Sequence, residues 1–240
     1  MWHVSRWSSI VTASLAAVVA VSTVDAQSGA TAVDTRSNLF LAGGNLYGFS
    51  PTGGTGLVPT AIALTAGTGR VLQLSATGSS FFCNAVSCAT TTPDGPALAG
   101  TNVSGTGLIG GIASPSSGFL AALFLGPTLP ATQPAQFVVS DIDATSYTPG
   151  LGQAFFVGDG ATSGGVMQQF LVPDGATQLY FGIADGLAFS GPPEFYDDNL
   201  GTYSVEYAVS GASSVPEPVT ASLVTLGLLG LWATRRRRTH

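Results

Sequence analysis

Glycine is concentrated in the middle of this sequence, between short apolar runs. Thirty of the 32 glycines fall between residues 27 and 214, where they separate short apolar runs, and no long amphipathic helix is predicted there. Short apolar runs between glycine and proline turns are typical of an all-β fold. We therefore expect a β-sandwich or jelly roll. The expected strands are 70–76, 118–125, 136–140, 153–157, 166–172, 177–184 and 202–209.

Two of these runs carry the clearest strand patterns. In 202–209, apolar residues alternate with polar or small ones, which predicts one buried face formed by Tyr203, Val205, Tyr207 and Val209. The run 177–184 is mostly apolar, as a central strand covered on both faces would be. Residues 86–117 contain few large apolar side chains and are expected to form a long loop.

The distribution of basic residues excludes several classes of function. The chain has no lysine, and its only histidines are His3 and His240, so residues 27–214 offer no imidazole base, Schiff-base lysine or histidine zinc site. That stretch has eleven acidic residues against two arginines, Arg36 and Arg70. Nucleic-acid binding needs a basic face and is not expected. We also expect that the protein is not an enzyme.

The first 26 residues match a secretory signal peptide. Arg6 supplies a positive charge, residues 10–21 are apolar, and small residues around Ala26 provide a cleavage site. The alternative is an uncleaved N-terminal anchor, but the apolar run is short for a membrane span.

The C-terminal residues 215–240 have three parts in a fixed order. They begin with Val215, Pro216, Glu217 and Pro218, continue with an apolar stretch at 219–234, and end with four arginines at 235–238. The apolar stretch predicts a transmembrane helix, and the arginines are expected to stay cytoplasmic, which places 27–214 outside as an extracellular domain. The alternative is a simple single-span anchor.

The order of these parts resembles the PEP-CTERM sorting signal of Gram-negative bacteria. The resemblance implies that an exosortase-type membrane peptidase removes the tail near Pro216–Pro218. The protein would then be anchored in the inner membrane only transiently, and would be released or attached to extracellular polysaccharide at the cell surface.

Cys83 and Cys88 are the only two cysteines and flank a four-residue loop. In an oxidising exterior, a disulfide between them is expected. A thiolate metal site is not, because no further cysteine or histidine is available nearby.

Acidic residues are concentrated between the last two expected strands. Asp185, Glu194, Asp197 and Asp198 lie in this glycine- and proline-containing segment, and Asp174 slightly precedes it. Carboxylates that gather without a cation repel one another, and a calcium ion relieves that repulsion by taking six to eight oxygen ligands. The segment therefore suggests a calcium (Ca²⁺) site, the alternative being a solvated polar hairpin loop.

The same segment resembles the C-terminal part of PA-I-type galactophilic lectins, which are calcium-dependent, galactose-binding β-sandwiches. The resemblance covers 170–185, the loop that follows, and 197–205. It implies that Asp185, Asp198 and Asn199 are calcium ligands, with carbonyl groups supplied near Phe195 and, from an earlier loop, near Phe81. The loop is longer here, Asp198 replaces an asparagine, and the sugar-contacting histidine of that family has no counterpart.

These observations predict calcium-assisted carbohydrate binding by an exported surface protein. The expected ligand-binding residues are Asp185, Phe189, Tyr196 and Asp198, because the two aromatic side chains lie in the loop and are available to line a site. The alternative function is that of a ligand-free structural matrix or adhesion protein that exosortase sorts.

Overall fold

The computed structural model describes residues 26–211 except 47, 49, 84–89 and 97–99. Apart from Ala26, the expected signal peptide lies outside these residues, and so does the whole expected sorting signal at 215–240. Within the described part of the chain, no helix has the length and apolar composition needed to cross a membrane.

The fold is mostly β-sheet and sandwich-like, with 42% strand and 7% helix. Thirteen strands are formed by the described residues: β1 Gln27–Asp34, β2 Ile62–Ala63, β3 Val71–Phe82, β4 Thr101–Val103, β5 Ile112–Ser114, β6 Ala121–Leu125, β7 Phe137–Val138, β8 Ser146–Tyr147, β9 Ala154–Phe156, β10 Gln169–Leu171, β11 Gln178–Gly182, β12 Ser190–Gly191 and β13 Asn199–Ser210. Three 3₁₀ turns occupy Leu39–Gly44, Leu187–Phe189 and Tyr196–Asp198.

The strands form a five-stranded sheet and two four-stranded sheets. The five-stranded sheet has the order β1-β13-β3-β10-β8, and the others have the orders β2-β11-β6-β9 and β12-β4-β5-β7. A bridge between Gly110 and Gln153 connects the two four-stranded sheets. Aromatic pairs pack the five-stranded sheet against the sheet of β9 and β11, with ring centroids 5.8 Å apart for Phe155–Phe170 and 6.2 Å apart for Phe181–Tyr207.

The two patterned strands behave as the sequence predicts. Tyr203, Val205 and Val209 of β13 are buried, Tyr207 is half-buried, and the residues between them are more exposed. β11 is an interior strand, paired with β2 on one side and β6 on the other. The 3₁₀ turn Leu39–Gly44 packs on β11 and β6, and all five residues of β6 are buried.

Two parts of the architecture differ from the expectation. The segment 86–117 is not simply a loop, because its described part contains β4 and β5, which pair with each other. The strand β1 is absent from the expected set, although it pairs with β13 over eight residues. Its sequence is mostly small and polar, so neighbouring β13 provides the partner that the sequence pattern does not reveal.

The longest strand pair places the candidate site at one end of the sandwich. β13 pairs with β3 over twelve residues, from Asn199 opposite Phe82 to Ser210 opposite Val71. Gln27 lies opposite Val209, so the first and last strands of the described domain begin and end on the same side. Asn199 lies at the opposite end of β13. Twelve strand residues span about 40 Å.

Candidate functional site

Asp185 is a buried carboxyl group at the crossing from one sheet to the other. It follows β11, and only 4% of its surface is exposed. Its carboxylate accepts a hydrogen bond of 2.7 Å from the backbone N–H of Gly186. The pKa of Asp185 is raised to about 7: burial is the main cause and the charge of Asp198 adds to it, while the hydrogen bonds from the Asn199 side chain and the Gly186 N–H lower it. The carboxylate therefore lies in a position that disfavours its negative charge.

Asn199 brings an amide oxygen to the same place. It is fully buried at the start of β13, and its side-chain nitrogen donates a hydrogen bond of 3.1 Å to the carbonyl of Thr35. The Asn199 side chain also hydrogen-bonds to the Asp185 carboxyl group, and among the described residues its buried Oδ1 atom has no hydrogen-bond partner. Such an oxygen costs about 1–3 kcal/mol if nothing satisfies it. An unpartnered acceptor on a side chain that also contacts a buried carboxyl group is suited to a small cation.

The two neighbouring aspartates have different surroundings. Asp198 is half-buried, and burial is the main cause that raises its pKa; the charge of Asp197 acts in the same direction. Asp197 is exposed, and its carboxylate accepts a hydrogen bond of 3.1 Å from the N–H of Gly56. Asp198 thus remains close to Asp185, whereas Asp197 is engaged by a separate loop.

The segment between Asp185 and Asn199 has an unusual backbone. Among the described residues, the non-glycine residues with a positive φ are Ala188, Phe189 and Phe195, at 50°, 56° and 66°. All three lie in this one segment. Left-handed backbone is unfavourable for residues with a Cβ atom and is concentrated at functional sites. The segment therefore concentrates the left-handed backbone of the described non-glycine residues in one place.

Tyr196 differs from the prediction that it lines a ligand site. It has no exposed surface. Its hydroxyl oxygen accepts a 3.0 Å hydrogen bond from the Asp185 N–H and donates one of 3.3 Å to the carbonyl of Ile183. Tyr196 is an interior residue that fastens the segment to the end of β11, because its apolar ring and its hydroxyl are both used inside the domain.

Phe189 remains partly accessible at the edge of the site. Its ring makes an edge-to-face contact with Phe82, with ring centroids 5.3 Å apart. The neighbouring Leu187 is 63% exposed and is absent from the ligand-binding residues that the sequence predicts. The two residues form an apolar rim next to Asp185.

The end of β3 completes the surroundings of the site. Phe82 lies opposite Asn199, and Phe81 lies opposite Leu200. This places the carbonyl predicted near Phe81 on the strand next to Asn199. Cys83 follows directly and is disulfide-bonded. Cys88, its expected partner, lies outside the described residues.

A second loop contacts the site and was missing from the sequence prediction. Phe195 donates its N–H to the carbonyl of Thr52 over 2.8 Å, and Asp197 donates its N–H to the carbonyl of Gly53 over 3.0 Å. The glycines at 53, 54 and 56 indicate a turn in the sequence. Nothing in the sequence connects that turn with residues more than 140 positions later.

Among the described residues, no positive side chain contacts the Asp185 carboxylate. Of the two arginines in the described residues, Arg36 pairs with Asp34 at 2.8 Å. Arg70 is buried elsewhere and donates to the carbonyls of Thr65, Pro173 and Ala176. Within the described ranges, no three carboxylate, cysteine or histidine side chains are grouped closely enough to hold a metal ion. An ion at Asp185 would therefore depend on amide and carbonyl oxygens.

The predicted sorting residues Val215, Pro216, Glu217 and Pro218 lie outside the described residues, and so their roles stay predictions. Comparison of the chain with protein-family models, with curated proteins and with solved structures finds no match.

Proposed function

We propose that the domain binds a calcium ion at Asp185, Asp198 and Asn199 and uses this site to bind extracellular carbohydrate. One observation carries the proposal: among the described residues, the buried Oδ1 atom of Asn199 has no hydrogen-bond partner, and the side chain of Asn199 also hydrogen-bonds to the buried carboxyl group of Asp185. A calcium ion would satisfy both groups, because it takes carboxylate, amide and carbonyl oxygens in flexible geometry.

The shape of the segment supports the same ligand set. Phe195 has left-handed backbone just before Asp198 and Asn199, and it belongs to the proposed set through its carbonyl oxygen. The ion would neutralise two carboxylates that lie close together and have no arginine partner. Calcium suits this set better than zinc, since no histidine or free thiol is present in the described part of the chain.

The carbohydrate part rests on the accessible rim. A bound calcium ion can coordinate sugar hydroxyls directly, and the partly accessible ring of Phe189, packed against Phe82, offers an apolar surface for a sugar ring. In this proposal the protein is an exported bacterial surface protein, with a sandwich or jelly-roll domain, a signal peptide, a C-terminal membrane helix and an exosortase-type peptidase as its processing partner. It is not an enzyme.

Calcium binding is tested by calorimetry on chelator-stripped protein. We expect one calcium ion per chain, and expect Asp185→Asn and Asn199→Leu to abolish the binding heat. Glu206→Gln is the matched control, because Glu206 is an exposed acid further along β13. Absence of binding by the unmodified protein at millimolar calcium would exclude the proposed ion site.

Carbohydrate binding is tested separately on a glycan array with calcium and with chelator. We expect binding that chelator removes. If calcium binds and no glycan does, the lectin-like function is wrong, and the ion has a structural role in a matrix or adhesion protein.

A further inference from the structure

The loop Thr52–Gly56, here called the glycine loop, is fastened to the segment that contains the proposed ion ligands. Three hydrogen bonds connect them: Phe195 N–H to Thr52 O at 2.8 Å, Asp197 N–H to Gly53 O at 3.0 Å, and Gly56 N–H to Asp197 Oδ1 at 3.1 Å. Two of these bonds come from the backbone, and only the third depends on a side chain.

The glycine loop is also fastened on its other side. Asn38 donates its side-chain N–H to the carbonyl of Thr55 over 2.8 Å, and Leu57 donates its N–H to the carbonyl of Arg36 over 2.8 Å. The neighbouring carbonyl of Thr35 holds the Asn199 side chain. Residues 35–38 therefore make two sets of contacts: Thr35 holds the Asn199 side chain, and Arg36 and Asn38 hold the glycine loop.

The Asp197 carboxylate occupies a space that only glycine leaves open. A Cβ atom at position 54 would lie 1.8 Å from Asp197 Oδ2. The carboxylate is thus packed against the glycine loop, and it is the charge of Asp198, the next residue, that acts on Asp185. The two adjacent aspartates therefore interact with different parts of the molecule: Asp197 with the glycine loop and Asp198 with Asp185.

We propose that Asp197 is a positioning residue, which holds the 3₁₀ turn against the glycine loop so that Phe195, Asp198 and Asn199 are already arranged for the ion. This inference rests on the calcium site proposed above. It assigns Asp197 no direct contact with the ion. Residues that orient metal ligands in this way typically contribute about 10–100-fold to metal affinity.

The test is Tb³⁺ binding by the full chain, with Tb³⁺ as a luminescent substitute for calcium. Luminescence lifetimes in H₂O and D₂O count the water molecules bound to the ion. We expect Asp197→Ala to weaken Tb³⁺ binding about 10–100-fold with an unchanged water count. Asp198→Ala should weaken binding and also increase the water count, because it removes a ligand.

Asp197→Asn separates the hydrogen bond from the charge. The amide oxygen of asparagine can still accept from Gly56, so we expect an affinity within about threefold of the unmodified chain, since second-sphere effects act through orientation. Equal losses in Asp197→Asn and Asp197→Ala would show that charge alone matters and would overturn the inference. A higher water count in Asp197→Ala would also overturn it, since Asp197 would then be a ligand.

A glycine pair tests the same contact without changing Asp197. Gly54→Ala displaces the carboxylate and should reproduce the loss of affinity. Gly165→Ala is its control, because Gly165 has a similar φ of 77°, against 85° for Gly54, and open space around its Cβ position. If the unmodified chain binds neither Ca²⁺ nor Tb³⁺, the proposed function and this inference both fail. If it binds and Asp197→Ala binds equally well, only the positioning role fails.

Discussion

The buried carboxyl group of Asp185 lies next to the side chain of Asn199, although the two residues belong to different sheets. Asp185 follows β11 and Asn199 begins β13. The segment between them crosses from one sheet to the other, and Tyr196 inside it is fully buried. A buried carboxyl group and an amide side chain thus meet at the end of the sandwich, and the first two predictions follow from their proximity.

Asp185→Asn should remove the response of the protein to calcium. Asparagine keeps the shape and the acceptor for Gly186, but removes the buried charge. In chelator, its melting temperature should equal or exceed that of the unmodified protein at pH 8. Calcium at a hundredfold excess over Kd stabilises a folded state by about 2.7 kcal/mol, which corresponds to about 5–10 °C in melting temperature for a domain of this size. Thermal melts should show this gain for Glu206→Gln but not for Asp185→Asn.

The stability of the calcium-free protein should fall as pH rises from about 4 to about 7. Burial raises the pKa of Asp185 from its ordinary value of 3.8 to about 7, so between these values the folded state binds a proton that the unfolded state has released. That proton favours folding and is lost as pH approaches 7. Urea unfolding in chelator at pH 5 and pH 8 measures the difference, which Asp185→Asn should reduce. An unchanged pH dependence in that variant would assign the effect to other groups.

The strands could be predicted where burial leaves a pattern in the sequence. Each of the seven expected strands overlaps an observed strand, and the alternation in β13 matches its buried face. β1 could not be predicted in this way, because only Val33 among its eight residues is buried. Its place depends on pairing with β13, which lies at the other end of the chain.

The site shows the same limit. Asp185, Asp198 and Asn199 are close in sequence; the acidic cluster draws attention to the two aspartates, and the lectin resemblance adds Asn199. The carbonyl of Thr35 and the glycine loop reach the site only through tertiary contacts. The prediction that Tyr196 lines a ligand site is wrong for a related reason. The sequence of a glycine- and proline-rich loop does not show whether an aromatic ring in it is buried or exposed, and Tyr196 is buried.

Tyr196→Phe should destabilise the domain. The hydroxyl group accepts from the Asp185 N–H and donates to the Ile183 carbonyl, and its removal leaves both of these buried groups without that partner. The expected loss is about 1–3 kcal/mol of unfolding free energy, measured by urea denaturation. Tyr180→Phe is the control, because that hydroxyl bonds to the side chain of Gln178 and to the backbone of Gly43 rather than to Asp185. Equal decreases of the unfolding free energy in the two variants would show that the contact with Asp185 contributes no more than the contact of an ordinary tyrosine hydroxyl.

Arg70→Met should lower the free energy of unfolding much more than Arg36→Met, although both remove one arginine from the described part of the chain. Arg70 is 1% exposed and donates to the carbonyls of Thr65, Pro173 and Ala176, which lie in two separate connections next to β3 and β11. Methionine fills much of the space but leaves these carbonyls without their donor, so we expect a loss of about 2–4 kcal/mol. Arg36 pairs with Asp34 on the surface, where an ion pair contributes about 0–1 kcal/mol. Urea denaturation of both variants measures the contrast, and similar midpoints would mean that the buried guanidinium group contributes no more than the exposed one.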